Sequence, residues 1–252
     1  MRRLELAGLE GMEEVAQGNS IGRLIHQACS RLGLSLVEGD VLVVAHKIVS
    51  KAEGRIEVLD EIDPSERATE LSGHLEDKDP KLLEVILRES RRIVRIGRGT
   101  IIVETHHGFI CANAGVDLSN VGLGCVALLP QDPDRSAEEI REEIRRLSGV
   151  APGVIISDSF GRPWRLGTTD VALGVAGFKP LRDDRGKTDS YNYELRASVT
   201  AVADEIASAA SLIMGKRNRV PVVLVHGCEI ELAKGSGQEL LRPEKEDLFR
   251  NF

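Results

Sequence analysis

Residues 153–167 read GVIISDSFGRPWRLG, in which an apolar run is followed at once by an aspartate, two serines, two arginines and the only tryptophan of the chain. A short apolar run bounded by glycine is typical of a buried strand. We therefore predict a strand over 154–157 and place Asp158 in a loop at its carboxyl end. Open α/β sheets bind their ligands at such strand ends, so this segment predicts both a fold class and a site.

A second acidic segment, residues 113–120 (NAGVDLSN), follows another strand-like stretch and supplies Asp117 beside two asparagines. Carboxylate, hydroxyl and amide oxygens are the ligands that hard cations such as Mg²⁺ prefer. Either aspartate alone can equally be a turn residue that bonds its own backbone. Taken together, the two loops predict one shared metal site.

Basic residues near these segments supply the positive charge that phosphate binding requires; they are Lys47, Lys51, Arg162, Arg165 and Lys216. Lys51 closely follows a strand predicted over 41–45, which can carry it to the edge of the sheet. For any one of these side chains alone, a solvated surface position is the simpler interpretation. The RGKT at 185–188 resembles the end of a phosphate-binding loop, but Leu181 stands where that motif needs a glycine, so we reject it.

The rest of the chain alternates between strand-like and helical patterns, which predicts a mixed α/β fold close to the α+β class. Strand-like runs cover 41–45, 92–96, 101–104, 154–157, 171–176 and 222–225, and helical periodicity covers 21–32, 65–75, 81–90, 136–147 and 194–214. Asp63 with Pro64 predicts one helix start, and Ser136 with Glu139 forms a capping box that predicts another. The alanines of 194–214 predict a central or interface helix.

Composition excludes several classes of protein. The net charge of −7 and the 3% of aromatic residues argue against nucleic-acid binding, which uses a basic face and stacking rings. There is no apolar signal segment and no run long enough to cross a bilayer, so we predict a cytoplasmic protein without a membrane partner. The four cysteines have neither zinc-site nor disulfide-framework spacing and are predicted to be buried thiols.

Seven blocks, in order along the chain, carry a resemblance: EGDVLVV at 38–44, SKAEGR at 50–55, NAGVD at 113–117, SDSFGR at 157–162, ADEIA at 203–207, MGK at 214–216 and EDLFR at 246–250. In these blocks the chain resembles the coenzyme F420-0:γ-glutamyl ligase family, which uses GTP to add L-glutamate to the side chain of a deazaflavin coenzyme. The resemblance spans nearly the whole chain. It implies an intertwined homodimer and a single ligase unit over 1–252, without the reductase-like carboxyl-terminal extension that some relatives carry.

The resemblance also implies a site. Divalent metal, Mg²⁺ or Mn²⁺, is expected at Asp117, Asp158 and Ser159, with K⁺ considered as an additional ion. GTP, the co-substrate, is expected at Gly11, Met12, Glu13, Glu14, His46, Lys47, Lys51, Asn120, Met214, Gly215, Lys216, Arg217, Asn218, Arg219, Val220 and Pro221. Catalysis is expected from Lys51, Asp117 and Asp158, and we add Arg162 because a guanidinium offers paired donors to a carboxylate or phosphate.

The implied reaction transfers the γ-phosphate of GTP to the carboxylate of coenzyme F420-0, after which the amine of L-glutamate attacks the acyl phosphate. Two other interpretations remain open at this point. One is a non-catalytic module that binds a nucleotide or deazaflavin, and the other is an amide ligase that acts on a different carboxylate. The chain has no Asn-Lys-x-Asp guanine-reading motif, so the preference for GTP over ATP rests on the resemblance.

Overall fold

The computed structural model describes residues 2–76, 78–97 and 99–247. Positions 248–250 of the block at 246–250 therefore lie outside the described residues. In the described part the strands are β1 Glu5–Gly8, β2 Val41–Ala45, β3 Ile56–Val58, β4 Ser90–Gly97, β5 Thr100–Thr105, β6 Ile110–Ala112, β7 Cys125–Ala127, β8 Gly153–Arg162, β9 Arg165–Ala176, β10 Leu181–Asp183, β11 Val199–Ala201 and β12 Val222–His226. The α-helices are α1 Ile21–Leu32, α2 His46–Ala52, α3 Glu66–His74, α4 Pro80–Arg88, α5 Pro133–Ser148 and α6 Val202–Met214. The predicted mixed α/β fold is confirmed.

A five-stranded sheet in the order β1-β12-β2-β8-β9 forms the centre, with β2 and β8 parallel and the other pairs antiparallel. Alternate residues of β2 face opposite sides of the sheet. Leu42 and Val44 pack in a core that includes α1 and α5, whereas Val41 and Val43 pack in a core that includes α6. Because both faces are covered, the central strands are continuous apolar runs rather than alternating ones.

A second group of elements follows β2 in the chain. It contains the three-stranded sheet β4-β5-β6, the pair β3-β7 and the helices α3 and α4. Leu83, Ile86, Ile101 and Val103 form part of its own buried core. A short 3₁₀ turn, Asn113–Gly115, leads from β6 towards Asp117.

The segment 157–167 is a β-hairpin and not the loop that we predicted. Strand β8 continues through Asp158 to Arg162, and β9 begins at Arg165 after a two-residue turn in which Trp164 has a φ of 58°. A register shift separates the pair Ile156–Gly174 from the next pair in the ladder, Ser157–Ala172. Extra residues of this kind bend a strand and re-aim its side chains. The apolar run of 154–157 is therefore only the buried half of a longer strand.

The predicted starts of helices α5 and α3 also need correction. Helix α5 begins at Pro133 and is capped by Asp132, so Ser136 lies inside the helix and donates to the carbonyl of Asp132 instead of forming a capping box. Helix α3 is capped by Ser65 rather than Asp63.

Helix α6 begins at residue 202 and not at 194, because the residues before it form β11, which pairs with β10. Its small residues Ala203, Ala207 and Ala210 pack on the central sheet of the same chain. The helix is thus central, and its alanine face does not by itself indicate a subunit interface.

Candidate active site

The described residues enclose a cavity of about 810 Å³ at the carboxyl end of β2, beside the middle of β8. Most of the residues predicted for the site line it: Met12, Glu13, Glu14, His46, Lys47, Lys51, Asp117, Asn120, Asp158, Ser159, Met214, Gly215, Lys216, Arg217, Arg219, Val220 and Pro221. These residues come from five separate parts of the chain, which the end of the parallel strand pair brings together. The fold therefore assembles the predicted residues around one space.

Three predicted residues do not line this cavity. Gly11 lies one residue outside it. Asn218 instead donates to the carbonyl of Ile213 at 3.2 Å, which braces the turn after α6. Arg162 lies at the exposed end of the β8–β9 hairpin and donates to the carbonyl of Leu166 at 3.3 Å. The geometry does not bring Arg162 to the other site residues, and its catalytic role stays a prediction.

Helix α2 follows β2 without a loop, so its first residues lie directly at the edge of the sheet. Lys47 and Lys51 are four residues apart and therefore share one face of the helix. Lys51 forms an ion pair with Glu14 of the early loop, and Lys47 forms one with Asp117 at 2.8 Å. The helix thus connects two of the chain segments that line the cavity.

Asp117 is held by two donors. Lys47 contacts one of its carboxylate oxygens, and the amide of Ser119 donates to the other at 2.7 Å. Burial alone raises the pKa of Asp117, but the hydrogen bonds from Lys47 and Ser119 outweigh it, and the pKa lies below its usual value. Asp117 is therefore ionised at neutral pH, as a cation ligand must be.

Asp158 lies beside a buried nitrogen of His46 and follows a buried hydroxyl, that of Ser157, and neither atom has a hydrogen-bond partner among the described residues. Its Oδ1 accepts the amide of Ser159 at 2.7 Å and lies 3.3 Å from Nε2 of His46, although that contact lacks hydrogen-bond alignment. His46 and Ser157 are almost fully buried, and Nε2 of His46 and Oγ of Ser157 have no hydrogen-bond partner among the described residues. Buried polar atoms are nearly always paired. Since both residues line the cavity, these atoms indicate that it holds a polar ligand or water.

A third carboxylate, Asp170, also lines the cavity and was missed by the sequence analysis. It lies on β9 directly opposite Ser159, whose hydroxyl donates to Asp170 Oδ1 at 2.6 Å. Burial is the main cause of its raised pKa, and the nearby carboxylate of Asp158 raises it further. In a regular hairpin that closes at Arg162–Arg165, Thr168 would face Ser159, but a register shift at Gly161/Arg162 moves Asp170 there. The sequence pattern contains no signal for that shift.

The segment after α6 also lines the cavity. It contributes Lys216, Arg217 and Arg219, which lie in a turn that begins at Gly215 with a φ of 50°. The side-chain amide of Asn120 approaches the carbonyl of Lys216 at 3.5 Å. Basic side chains of α2 and of the turn after α6 therefore line the same cavity as Asp117 and Asp158.

A smaller cavity of about 100 Å³ adjoins this site and shares Asp117, Asp158, Ser159 and Lys216 with it. Cys111 lines its inner side, and burial together with Asp158 raises the pKa of this thiol to about 12. Such a thiol is protonated at neutral pH and is not a nucleophile. This agrees with the predicted buried state of Cys111, and Cys29 is buried as well, whereas Cys125 and Cys228 are only half-buried.

The donor set fits a hard cation that is only partly held by protein. In the described part of the chain, no three His, Cys, Asp or Glu side chains are grouped closely enough to hold a metal by themselves. Mg²⁺ in phosphate sites typically uses one or two carboxylates together with water and phosphate oxygens. Asp117, Asp158 and Ser159 supply oxygens of this kind. The residues therefore fit a cation whose remaining positions are filled by water or by phosphate oxygens.

Comparison with known proteins places the chain in one family. A family model described as F420-0:Gamma-glutamyl ligase matches residues 11–227. The chain belongs to this family. A coenzyme F420:L-glutamate ligase from Methanocaldococcus jannaschii is 43% identical over 256 residues, which cover 99% of this chain and 98% of that protein.

Two further relatives carry the same name. The protein from Methanothermobacter thermautotrophicus is 46% identical over 98% of this chain and 99% of its own length. The protein from Methanopyrus kandleri is 45% identical over 98% of this chain and 97% of its own length. Both comparisons extend over the segments that line the cavity. As to membranes, the helices among the described residues are all too short or too polar to span one.

Proposed function

We propose that this chain is a ligase that joins L-glutamate to coenzyme F420-0 through a γ-linked amide bond and consumes GTP. The observation that carries the proposal is the convergence of Asp117, Asp158 and Ser159 with three lysines on one cavity. It is supported by relatives named coenzyme F420:L-glutamate ligase that are 43–46% identical over nearly the full chain. A cavity of about 810 Å³ lies within the range of small-molecule sites.

The proposed reaction has two steps. The acceptor carboxylate attacks the γ-phosphorus of GTP, forming an acyl phosphate and releasing GDP. The amine of L-glutamate then attacks the acyl carbon, an amide bond forms, and inorganic phosphate leaves while the amine loses its proton. Both steps gather negative charge on phosphate oxygens, so the main task of the protein is to position the reactants and stabilise that charge.

The residues divide this task between them. Lys51 and Lys216, which both line the cavity, supply fixed positive charge to the phosphates. Asp117, Asp158 and Ser159 would hold Mg²⁺ or Mn²⁺, which when bound neutralises charge on the phosphates. The ion pair of Lys47 with Asp117 keeps that carboxylate ionised and oriented before a cation arrives.

The test is an assay with the pure protein, coenzyme F420-0, L-glutamate, GTP and Mn²⁺ or Mg²⁺, with and without K⁺. We expect a glutamate-extended product by mass spectrometry, and phosphate release that needs both the acceptor and L-glutamate. Equal product with ATP would remove the guanine preference. Saturable binding of coenzyme F420-0 without product from either nucleotide would favour a binding module, and product only from another carboxylate would favour a different amide ligase.

We also propose a homodimer, on the strength of the family resemblance. Large apolar side chains that are exposed in the single chain support it, among them Trp164, Leu166, Tyr191 and Leu212, each at least 82% exposed. Light scattering at micromolar concentration should give twice the mass of one chain. A monomer mass would contradict the proposal and leave the ligase assay unaffected.

A further inference from the structure

Asp170 forms a hydrogen bond with a predicted metal ligand. Its Oδ1 accepts a hydrogen bond from the hydroxyl of Ser159 at 2.6 Å across the β8–β9 ladder. A serine hydroxyl has one proton and two lone pairs. With the proton directed to Asp170, the lone pairs of Ser159 are left to face other groups, and both residues line the cavity.

The backbone around Asp170 is held by two hydrogen bonds with α6. The hydroxyl of Ser208 donates to the carbonyl of Asp170 at 2.8 Å, and Oδ1 of Asp204 accepts the amide of Ala172 at 2.9 Å. The second bond lies at the register shift in β9, where Ala172 pairs with Ser157. Asp170 is therefore held in place independently of Ser159.

Two further observations show that this part of the cavity is built for a polar ligand. In the described part of the chain, the buried Nε2 of His46 and Oγ of Ser157 have no hydrogen-bond partner, and both residues line the same cavity as Asp170. Ser157, Asp158 and Ser159 are consecutive on β8. The segment of β8 that pairs with β9 near Asp170 thus contains a serine hydroxyl, that of Ser157, that no described residue bonds, two residues from Ser159.

We propose that Asp170 is a positioning residue. It accepts a hydrogen bond from the hydroxyl of Ser159, so that the oxygen of Ser159 presents its lone pairs to a divalent cation. This inference rests on the proposed function, in which Ser159 and Asp158 contact that cation. Asp170 acts through Ser159. Partners of this kind orient a metal ligand, and their loss typically weakens metal affinity by about 10- to 100-fold.

The experiment is a double-mutant cycle with Mn²⁺ alone as the probe, in which the electron paramagnetic resonance signal of the free ion reports binding. The variants are Asp170→Ala, Asp170→Asn, Ser159→Ala and the double variant with alanine at both positions. Asp183→Asn is the matched control, because it also removes one aspartate charge but lies exposed on β10, where it pairs with Arg185. Melting temperatures in metal-free buffer show whether each variant folds.

We expect Asp170→Ala to raise the Kd for Mn²⁺ by about 10- to 100-fold. Asp170→Asn should have a smaller effect, because its amide oxygen can still accept from Ser159. In the Ser159→Ala background, Asp170→Ala should change the Kd by less than about threefold, since residues that act through one another are not additive. The control should bind as the wild type does.

Other outcomes would overturn the inference. A Kd unchanged by Asp170→Ala, with or without a lower melting temperature, would assign Asp170 a structural role only. Additive effects in the cycle would make it an independent ligand. A wild type that ligates glutamate but binds no Mn²⁺ would refute the positioning role and leave the ligase proposal intact, whereas Mn²⁺ binding with the expected cycle but no product would refute only the ligase proposal.

Discussion

Two aspartate–histidine pairs lie at opposite ends of the same central sheet, and they differ in how completely they are bonded. Before the first residue of β2, Asp40 is buried and accepts Nδ1 of His226 at 2.7 Å and the amide of Val37 at 2.9 Å, one on each carboxylate oxygen. At the other end, Asp158 lies 3.3 Å from Nε2 of His46, and no described residue forms a hydrogen bond with that nitrogen.

The difference separates a pair that maintains the fold from a pair that is ready for a ligand. Fully bonded buried groups stabilise a structure, whereas a buried polar atom without a partner costs free energy that a ligand can recover. Neither Asp40 nor His226 is among the residues that line the cavity, whereas Asp158 and His46 both line it. Matched substitutions at the two ends should therefore affect different properties.

The largest effect is expected for Asp158→Asn on ligation. Loss of a cation ligand should lower turnover at saturating Mn²⁺ by at least about 100-fold, since even an outer partner is worth roughly 10- to 100-fold. The melting temperature without metal should change by no more than about 4 °C, because losing the contact with His46 is offset by relief of the repulsion between Asp158 and Asp170. Near-normal turnover, or loss of activity explained by unfolding, would make Asp158 a structural residue.

Asp117→Asn is expected to lower turnover by about 10- to 100-fold, with a different effect on stability. If Asp117 and Asp158 share one empty metal site, as the sequence predicts, their negative charges repel each other, and removing either charge would stabilise the metal-free protein. In the structure Asp117 is neutralised by Lys47 at 2.8 Å, so the substitution breaks an ion pair. The metal-free variant should therefore be slightly less stable than the wild type in urea unfolding. A more stable variant would show that repulsion dominates after all.

Asp40→Asn is the matched substitution at the other end of the sheet. The variant keeps one acceptor oxygen for the amide of Val37 and loses the carboxylate charge that Nδ1 of His226 contacts. A hydrogen bond to a charged group contributes about 1.5–3 kcal/mol, and each kcal/mol lowers the melting temperature of a chain this long by about 2–4 °C. Turnover per folded molecule should stay at the wild-type value. A specific loss of turnover in the folded variant would erase the distinction between the two ends.

These comparisons also show what the sequence could and could not predict. Apolar runs and amphipathic periods are local signals, and they predicted β2 at 41–45 and α1 at 21–32 with the bounds that the structure has. Asp117, Asp158 and Lys51 stood out because each follows an apolar, strand-like run of the sequence, although in the structure Asp158 lies within β8. The hairpin after 157, the start of α6 and Asp170 depend on strand pairing over long range, and the register shifts that place Asp170 opposite Ser159 leave no local pattern.

The smallest effect is expected at Asp204, a half-buried aspartate on α6 whose side chain has one hydrogen bond among the described residues, from the amide of Ala172. Burial raises its pKa above the ordinary 3.8. A raised folded-state pKa means that the contribution of this group to stability is fully present below about pH 4 and is lost as the pH rises through the folded value. Asp204→Asn keeps an acceptor for Ala172 and cannot ionise. The free energy of unfolding of the variant, minus that of the wild type, should therefore be more positive at pH 7 than at pH 4, as measured by urea unfolding at both values. A difference that does not change with pH would show that Asp204 ionises as easily in the folded chain as in the unfolded one, and that its single bond from Ala172 stabilises the charge enough to offset burial.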